Sequence, residues 1–482
     1  MMDRLPDELR AEVLRRLPPR HLAVCRTVCR DWRGAIDARG LLRTVAHLRG
    51  LFIRFFGEVD HGFFSRPSPG IGIDIDASLH FLPGWWNPRG RGGVLDHSNG
   101  LLLYEMAGSR TGDLMYVCNP ATRRCAPLPS PPGIQSVFFR TLAYLVFDPT
   151  VTLHYSVVFF PDAPTEPIQH DRERNIKPTC TQNVSANYER ELNRIIGCME
   201  WPPYSYAVQV FSSTTGRWEE KRFIRAGDPV ATVSDVWSDP SPPTSWGPIR
   251  RYAVYWQQAL YLHCRGGFII RLSMLDDKYL VIRTPDTLAT RPKSHDLYGQ
   301  EHEEHPTPHV YLGKSKLGVY YTALCGYQIR VWLLHEASEL RQTAGWELKH
   351  QSDLEPSFLR HYNRRHLVDE TNKSWILNPS QNESEDMGDC EWDSDDDSVV
   401  DDEEEGAIGT DGRCVDRYYG IDLLGYHPCK EIAFIGDRFS AFSYNLNNAK
   451  LEYLGSLCHI GRRNSSAPTL RSFIYMPCLL LR

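Results

Sequence analysis

The sequence contains no apolar stretch that approaches the ~18 to 20 residues needed to cross a bilayer. Its first residues, Met1-Met2-Asp3-Arg4, lead into charged sequence instead of an apolar segment. We therefore expect a protein that is neither secreted nor bound to a membrane. The 13 cysteines include no Cys-x-x-Cys pair. Reduced, mostly buried thiols in the cytoplasm or nucleus are the expectation.

Motifs for catalysis and for cofactor binding are also missing. The chain has no G-x-S-x-G elbow, no G-x-x-x-x-G-K-[ST] phosphate loop and no G-x-G-x-x-G turn. His302 and His305 flank two glutamates, but they are three residues apart instead of four, in a segment that contains proline. We expect a protein that is not an enzyme and that has no metal site and no cofactor.

Positive and negative charge are unevenly distributed. Residues 374–412 contain 15 acidic residues and no Lys or Arg, so the remaining chain carries +9 although the total is −6. The acidic segment, about 380–412, is poor in apolar residues and is expected to be disordered. The basic run 360–366 is interpreted as a solvated or acid-binding patch, and no nucleic-acid partner is expected.

Helical periodicity is confined to about residues 3–48. Leu9, Val13, Leu14 and Leu17 recur at the spacing of one helix face, and Pro18-Pro19 ends this first helix. Two further short helices are predicted before Gly40. Three helices of this size cannot close a large core, so part of their apolar surface should remain for a partner.

From about residue 50 the pattern changes to short apolar or alternating runs between turn residues, which predicts an all-β domain. The expected organisation is a helical domain at 1–48 and a β domain at 49–482, interrupted by the acidic segment. The fold class is α+β multidomain.

Three segments of the β region look like copies of one unit. A strand, a turn, a Gly, a Trp and a Glu recur in 210–219 and in 331–348, and the strand and turn of 442–452 are a looser echo. Degenerate repeats of this kind favour a β-propeller of about six to eight blades. Two stacked β-sandwiches are the alternative.

The N-terminal residues resemble the F-box pattern in order and without a gap. The matching positions are Leu5-Pro6-Asp7-Glu8-Leu9, Glu12-Val13-Leu14, Arg16-Leu17-Pro18, Leu22, Val24-Cys25-Arg26, Val28-Cys29 and Trp32-Arg33. The β region, with Asn-Pro-Ala-Thr-Arg at 119–123 and Ser-Thr-Thr-Gly-Arg-Trp at 213–218, is similar to the large plant family of F-box proteins with an associated propeller-like domain.

That resemblance implies a substrate adaptor of an SCF-type ubiquitin ligase. The F-box would bind the Skp adaptor and, through it, a cullin, while the β domain would bind a target protein. The residues implied for adaptor binding or its direct support are Leu5, Pro6, Leu9, Leu17, Pro18, Val28 and Trp32. The alternatives are an F-box scaffold outside ubiquitination and an enzyme built on the β domain.

Tryptophans are candidates for a target-binding rim, because Trp is enriched among binding hot spots. Most of those in the β region sit at strand spacing and are expected in the core. Trp237 and Trp246 fall in a Pro-rich segment, so we expect them to be more exposed and to be possible target contacts.

Overall fold

The structure, a computed structural model, describes residues 9, 12–14, 16–17, 22, 25, 28–39, 48–55, 61–66, 75–76, 79–83, 93–106, 114–131, 139–164, 191–238, 253–285, 309–335, 344–364, 375–377, 421–437, 440–457 and 469–478. In these ranges the chain forms a large all-β domain with few helices, as the sequence predicts. The acidic segment 380–412 lies outside the described residues.

Most of the described residues are in strands. The strands are β1 (Gly50–Phe55), β2 (Gly62–Ser65), β3 (Gly93–Ser98), β4 (Leu101–Met106), β5 (Leu114–Asn119), β6 (Arg124–Leu128), β7 (Phe139–Val146), β8 (Ser156–Pro164), β9 (Glu200–Trp201), β10 (Ser205–Ser212), β11 (Arg217–Ala226), β12 (Ala231–Thr232), β13 (Ala253–Trp256), β14 (Ala259–Cys264), β15 (Phe268–Ser273), β16 (Lys278–Arg283), β17 (His309–Ser315), β18 (Gly318–Cys325), β19 (Gln328–His335), β20 (Gly345–Asp353), β21 (Ile376–Leu377), β22 (Asp422–Tyr426), β23 (Ile432–Gly436), β24 (Ser440–Asn445), β25 (Leu451–Ser456) and β26 (Thr469–Tyr475).

Helices are short and lie at the N-terminus or between strands. The described ones are Arg30–Ala38, 191–197, Val233–Trp237 and Glu355–Arg364. Arg30–Ala38 corresponds to the third predicted N-terminal helix. The first two predicted helices lie partly outside the described residues.

The strands form four-stranded antiparallel units. The orders are β3-β4-β5-β6, β7-β8-β10-β11, β13-β14-β15-β16, β17-β18-β19-β20, β22-β23-β24-β25 and β26-β1-β2-β21. β11 also pairs with β16 in parallel, which joins two of these units into one eight-stranded sheet. In the last unit, strands from the two ends of the β domain are hydrogen-bonded to each other.

Apolar side chains pack between neighbouring sheets, and β10 shows why. Its buried residues alternate with exposed ones over Ser205–Val208, so one face of the strand contributes to the core. One hydrophobic cluster contains Tyr261 and Ile269 of β13–β16 with Tyr321 and Trp332 of β17–β20. The core of the β domain therefore lies between its sheets.

The weak sequence repeats occupy equivalent places in these units. Each is the hairpin of the third and fourth strand, with Phe211 opposite Trp218, Leu334 opposite Trp346, and Ser443 opposite Glu452. In the first of these hairpins Gly216 adopts a φ of +65°, a left-handed conformation that glycine adopts readily.

Two of the repeated tryptophans also make the same contact with the preceding unit. Trp218 Nε1 donates to the Pro129 carbonyl over 2.7 Å, just after β6, and Trp346 Nε1 donates to the Arg283 carbonyl over 2.8 Å, at the end of β16. Of the tryptophans expected in the core, Trp201 and Trp332 are buried, whereas Trp218, Trp256 and Trp346 are partly buried.

Three segments differ from the sequence-based expectation. The proline-rich regions 161–203 and 227–248 read as long loops by sequence, but they contain the helices 191–197 and Val233–Trp237 and the strands β9 and β12. The sequence around the basic run 360–366 favours a strand or loop, but the run begins on the helix Glu355–Arg364. Phe358 of this helix is buried in the core, so tertiary packing supports the helix where the run of charges gave no apolar pattern.

Candidate functional site

The N-terminal helical region exposes apolar side chains. Leu9 is 55% exposed, Val28 63% and Val13 36%. Covering one such side chain with a partner contributes ~1.5 to 3 kcal/mol. Apolar surface therefore remains on this region after the chain has folded.

Other residues of the region point inward and meet the β domain. Leu14, Leu22 and Ile36 are buried in one hydrophobic cluster with residues of β4 to β10. The β-domain members of this cluster are Leu101, Leu103, Met115, Val117, Leu128, Leu145, Phe147, Val157, Phe159, Phe211 and Cys478. The helical region and two neighbouring sheets thus share one core.

The residues implied for adaptor binding fall into three groups. Leu9 and Val28 are exposed. Leu17 and Trp32 are partly buried and pack against the shared core. Leu5, Pro6 and Pro18 lie outside the described residues.

Local hydrogen bonds fix the start of the helix Arg30–Ala38. The Trp32 backbone N–H donates to Cys29 Sγ over 3.5 Å, and the Arg33 N–H donates to the Cys29 carbonyl over 3.1 Å. Trp32 Nε1 is buried and has no hydrogen-bond partner among the residues that the structure describes. Burial raises the pKa of the Cys25 thiol, so this cysteine is a poor nucleophile.

Trp237, one of the two possible target contacts, ends a short capped helix. Thr232 and Asp235 form a capping box at the helix start. Trp237 is partly buried and packs against the core between β7–β11 and β13–β16. Trp246 lies outside the described residues.

The described part of the chain contains no group of three or more His, Cys, Asp or Glu side chains that could hold a metal ion. A cavity lined by Tyr144, Phe160, Trp201 and Tyr206 has a volume of about 10 Å³, enough for one water at most. No helix in the described ranges is long and apolar enough to span a membrane.

A group of polar residues that the sequence did not single out lies where three sheets approach one another. Its members are His61, Asp96, His97, Lys314 and Arg471. They come from distant parts of the chain and share no motif, so only the sheet register brings them together.

The F-box domain family matches residues 2–44. F-box domains generally bind the Skp adaptor within SCF ubiquitin ligases, which suggests the role of a substrate adaptor in general terms. The match covers the helical region and ends before β1 at Gly50.

Several solved structures resemble the chain at low scores. They include AztD from Citrobacter koseri, Hsv2 from Kluyveromyces lactis and the computationally designed Ika8 protein. The respective identities are 7%, 8% and 10%, with TM-scores of 0.28, 0.17 and 0.23. The matches cover 79%, 54% and 75% of this chain and 73%, 84% and 86% of the other chains. No curated protein matches the sequence.

Proposed function

We propose that the protein is a substrate-recognition adaptor of an SCF-type ubiquitin ligase. Residues 2–44 bind the Skp adaptor and, through it, a cullin, while the β domain binds the protein to be ubiquitinated. The F-box match supports the first half of the proposal. The ligase supplies the ubiquitin-transfer machinery, so this chain acts by proximity and needs no catalytic site of its own. We place this activity in the cytoplasm or nucleus.

Exposed apolar residues in the matched segment carry the adaptor-binding part of the proposal. Leu9, Val13 and Val28 keep large exposed fractions, whereas Leu14, Leu22 and Ile36 of the same segment are buried in the shared core. Apolar side chains that stay exposed while others of the same segment are anchored in the core suit a helix-in-groove contact.

We infer that the β domain is a closed six-bladed propeller. Neighbouring edge strands contact each other in the pairs β3 and β7, β13 and β17, β17 and β22, and β22 and β26. Arg471 of β26 donates to the carbonyls of Val94 and Leu95 on β3, and β11 pairs with β16. These six connections link the six four-stranded units in a cycle. Loops at the ends of such a ring are where we expect the target to bind.

The shared core supports a fixed geometry between the two binding functions. Because Leu14, Leu22 and Ile36 pack with residues of two adjacent sheets, the F-box has little freedom to swing away from the β domain. A target on the β domain would then be presented at a constant distance from the ligase, which raises its effective concentration at the transfer site.

Capture of the purified Skp adaptor by the full chain tests the adaptor half. We expect Leu9→Asp together with Val28→Asp to weaken binding at least about tenfold, because each replaces a covered apolar side chain with a charge. Val151→Asp with Leu275→Asp is the matched control, since these residues are 55% and 73% exposed on the β domain. A folded wild-type chain that fails to capture the adaptor contradicts the proposal.

Target turnover tests the ubiquitination half. Proximity labelling with the intact chain and with the Leu9→Asp, Val28→Asp variant should label the same targets, and only the intact chain should shorten their half-lives. Adaptor capture without any change in turnover would instead indicate an F-box scaffold outside ubiquitination.

A further inference from the structure

The small cavity between β7–β11 and β13–β16 lies at one end of these strands. Its aromatic wall consists of Tyr144, Phe160, Trp201 and Tyr206, and its lining also includes His263 and Arg265. Tyr206 follows the first residue of β10, and His263 and Arg265 flank the last residue of β14. The cavity is therefore placed where the strands pass into their connecting loops, the part of a β domain that usually binds other molecules.

The cavity has room for one oxygen-sized group and opens on its polar side. Its volume of about 10 Å³ is close to what a single water needs. The four aromatic residues are buried, whereas His263 and Arg265 are partly exposed. A larger molecule can therefore insert one polar atom beside Arg265 while the rest of it stays at the surface.

Arg265 brings a positive charge to this opening and has no protein partner. Its Nε atom is buried without a hydrogen-bond partner, and its guanidinium forms no ion pair with any residue that the structure describes. Glu200, the residue before Trp201, does not neutralise it, because that carboxylate pairs with Arg225 over 2.9 Å. Buried polar atoms without a partner are rare in folded proteins, so the cavity lacks an acceptor that a ligand can supply.

The loop that carries Arg265 is held on both sides. Gly266 and Gly267 adopt φ values of +89° and +71°, the left-handed conformation that glycine adopts readily. The Thr284 N–H and hydroxyl donate to the Gly267 carbonyl over 3.0 and 2.9 Å. A Cβ atom on Gly266 would lie 3.2 Å from Val236 Cγ2, so the loop packs closely on the helix that contains Val236. Arg265 thus extends from a fixed backbone position, which lowers the entropy cost of binding.

Exposed apolar side chains adjoin this loop through the same helix. Ile195 and Met199, which precede Trp201 of the cavity wall, are each 54% exposed. The Val233 N–H at the start of the helix donates to the Met199 carbonyl over 3.0 Å. The segment with the apolar side chains and the loop with Arg265 are therefore both fastened to Val233–Trp237. An arginine accompanied by apolar surface is the composition of many binding hot spots.

We propose that Arg265 and this cavity, here named the Arg265 site, bind an aspartate or glutamate side chain of the target protein. The inference rests on the proposed function, in which the β domain binds the target. One carboxylate oxygen enters the cavity and accepts a hydrogen bond from Arg265 Nε, and the other accepts from a terminal nitrogen of the same guanidinium.

The surroundings favour this ligand over other side chains. The aromatic wall keeps the local dielectric low, which strengthens a charge-assisted hydrogen bond. An apolar side chain would leave Nε without an acceptor, and a basic one would be repelled by the guanidinium. Ile195 and Met199 offer apolar contact to the residues next to the acidic one, so a protein segment fits this place better than a free ion.

Two capped pentapeptides test the site in ligand-detected NMR titrations against the full chain. One has leucines on both sides of a central glutamate, and the other has glutamine in place of the glutamate. We expect the glutamate peptide to bind about fivefold more tightly or more, because the two side chains have the same shape and only the carboxylate forms a charge-assisted pair. Equal binding of the two peptides, or no binding to the folded chain, overturns the proposal.

Arg265→Gln should bind both peptides equally. The arginine has no hydrogen-bond or ion-pair partner among the described residues, so its replacement should leave the fold intact. Arg217→Gln is the matched control, because it removes the same charge from an exposed arginine at the first position of β11 and should keep the wild-type preference. A preference for glutamate that persists in Arg265→Gln, or that is lost in both variants, contradicts the Arg265 site.

Capture of the purified Skp adaptor by the same proteins separates this inference from the proposed function. Wild type and Arg265→Gln should capture the adaptor equally, since the variant leaves residues 2–44 unchanged. Adaptor capture without a preference for glutamate overturns the Arg265 site alone. A preference for glutamate without adaptor capture supports the Arg265 site and overturns the proposed function.

Discussion

Asp96 makes an unusual contribution to stability, because its burial raises the pKa from its usual 3.8 to about 7. Between these two values the unfolded chain has released the proton while the folded protein retains it. The folded state then binds more protons than the unfolded state, so this group lowers stability as the pH rises through the window. Above about 7 both states are ionised and the effect levels off.

Replacing Asp96 with Asn should remove this pH dependence. We expect the free energy of unfolding of Asp96→Asn to increase relative to the wild type between about pH 5 and pH 7, by at most about 1.4 kcal/mol per pH unit. Urea unfolding of both proteins at several pH values in chloride buffers measures the difference. If the free energies of unfolding of the two proteins differ by the same amount at every pH in that range, the assigned burial of the carboxyl is wrong.

Sequence reasoning at this scale identified the exposed N-terminal residues and missed the group of polar residues where three sheets approach one another. Leu9 and Val28 could be singled out because they occupy fixed positions of a short local pattern. Arg54 and Arg471 are neighbours only through the pairing of β1 with β26, more than 400 residues apart along the chain. No local spacing indicates such a contact.

At the scale of elements, the third and fourth strands of two units are fastened to the preceding unit by a tryptophan. Trp218 and Trp346 each donate Nε1 to a carbonyl at the end of the previous fourth strand. Trp218→Phe removes this hydrogen bond but keeps a ring near Phe159 and Phe211, whose centroids lie 4.9 and 5.4 Å away.

We expect Trp218→Phe to lower the free energy of unfolding by about 0.5 to 1 kcal/mol, the usual net value of a partly exposed hydrogen bond. Trp346→Phe should have a similar effect, and the double variant should show the sum because the two sites share no partner. Urea unfolding monitored by circular dichroism measures all three. A double variant no less stable than wild type would show that these bonds contribute nothing.

The elements were partly predictable for a clear physical reason. The repeated strand, turn and Trp pattern is local, and it indicated the hairpins of β10 with β11 and of β19 with β20. The helix Val233–Trp237 escaped prediction, since five residues are too few to show helical periodicity and only the capping box and the core stabilise it.

For the whole molecule, the junction of β26 with β1 is the contact that unites the two ends of the β domain. Phe473 lies at its centre, 3% exposed, with ring centroids 5.2 Å from Phe52 and 4.5 Å from His97. Its ring thus joins strands from three distant parts of the chain.

Phe473→Ala should lower the free energy of unfolding by about 3 to 5 kcal/mol, because it leaves a cavity in a tightly packed aromatic group. Leu275→Ala is the control at 73% exposure and should change stability by no more than about 0.5 kcal/mol. Thermal unfolding of both variants distinguishes the two cases. Equal stabilities would contradict the central place of this junction.

The pairing of Gly50–Phe55 with Thr469–Tyr475 also has a consequence during biosynthesis. The first strand leaves the ribosome long before its partner is translated. The edge of β1 that pairs with β26 therefore stays without hydrogen-bond partners while some 400 residues follow. A nascent chain that terminates early can never complete this sheet. Truncated copies should therefore be recognised and removed by chaperones and proteases, however well their other sheets have formed.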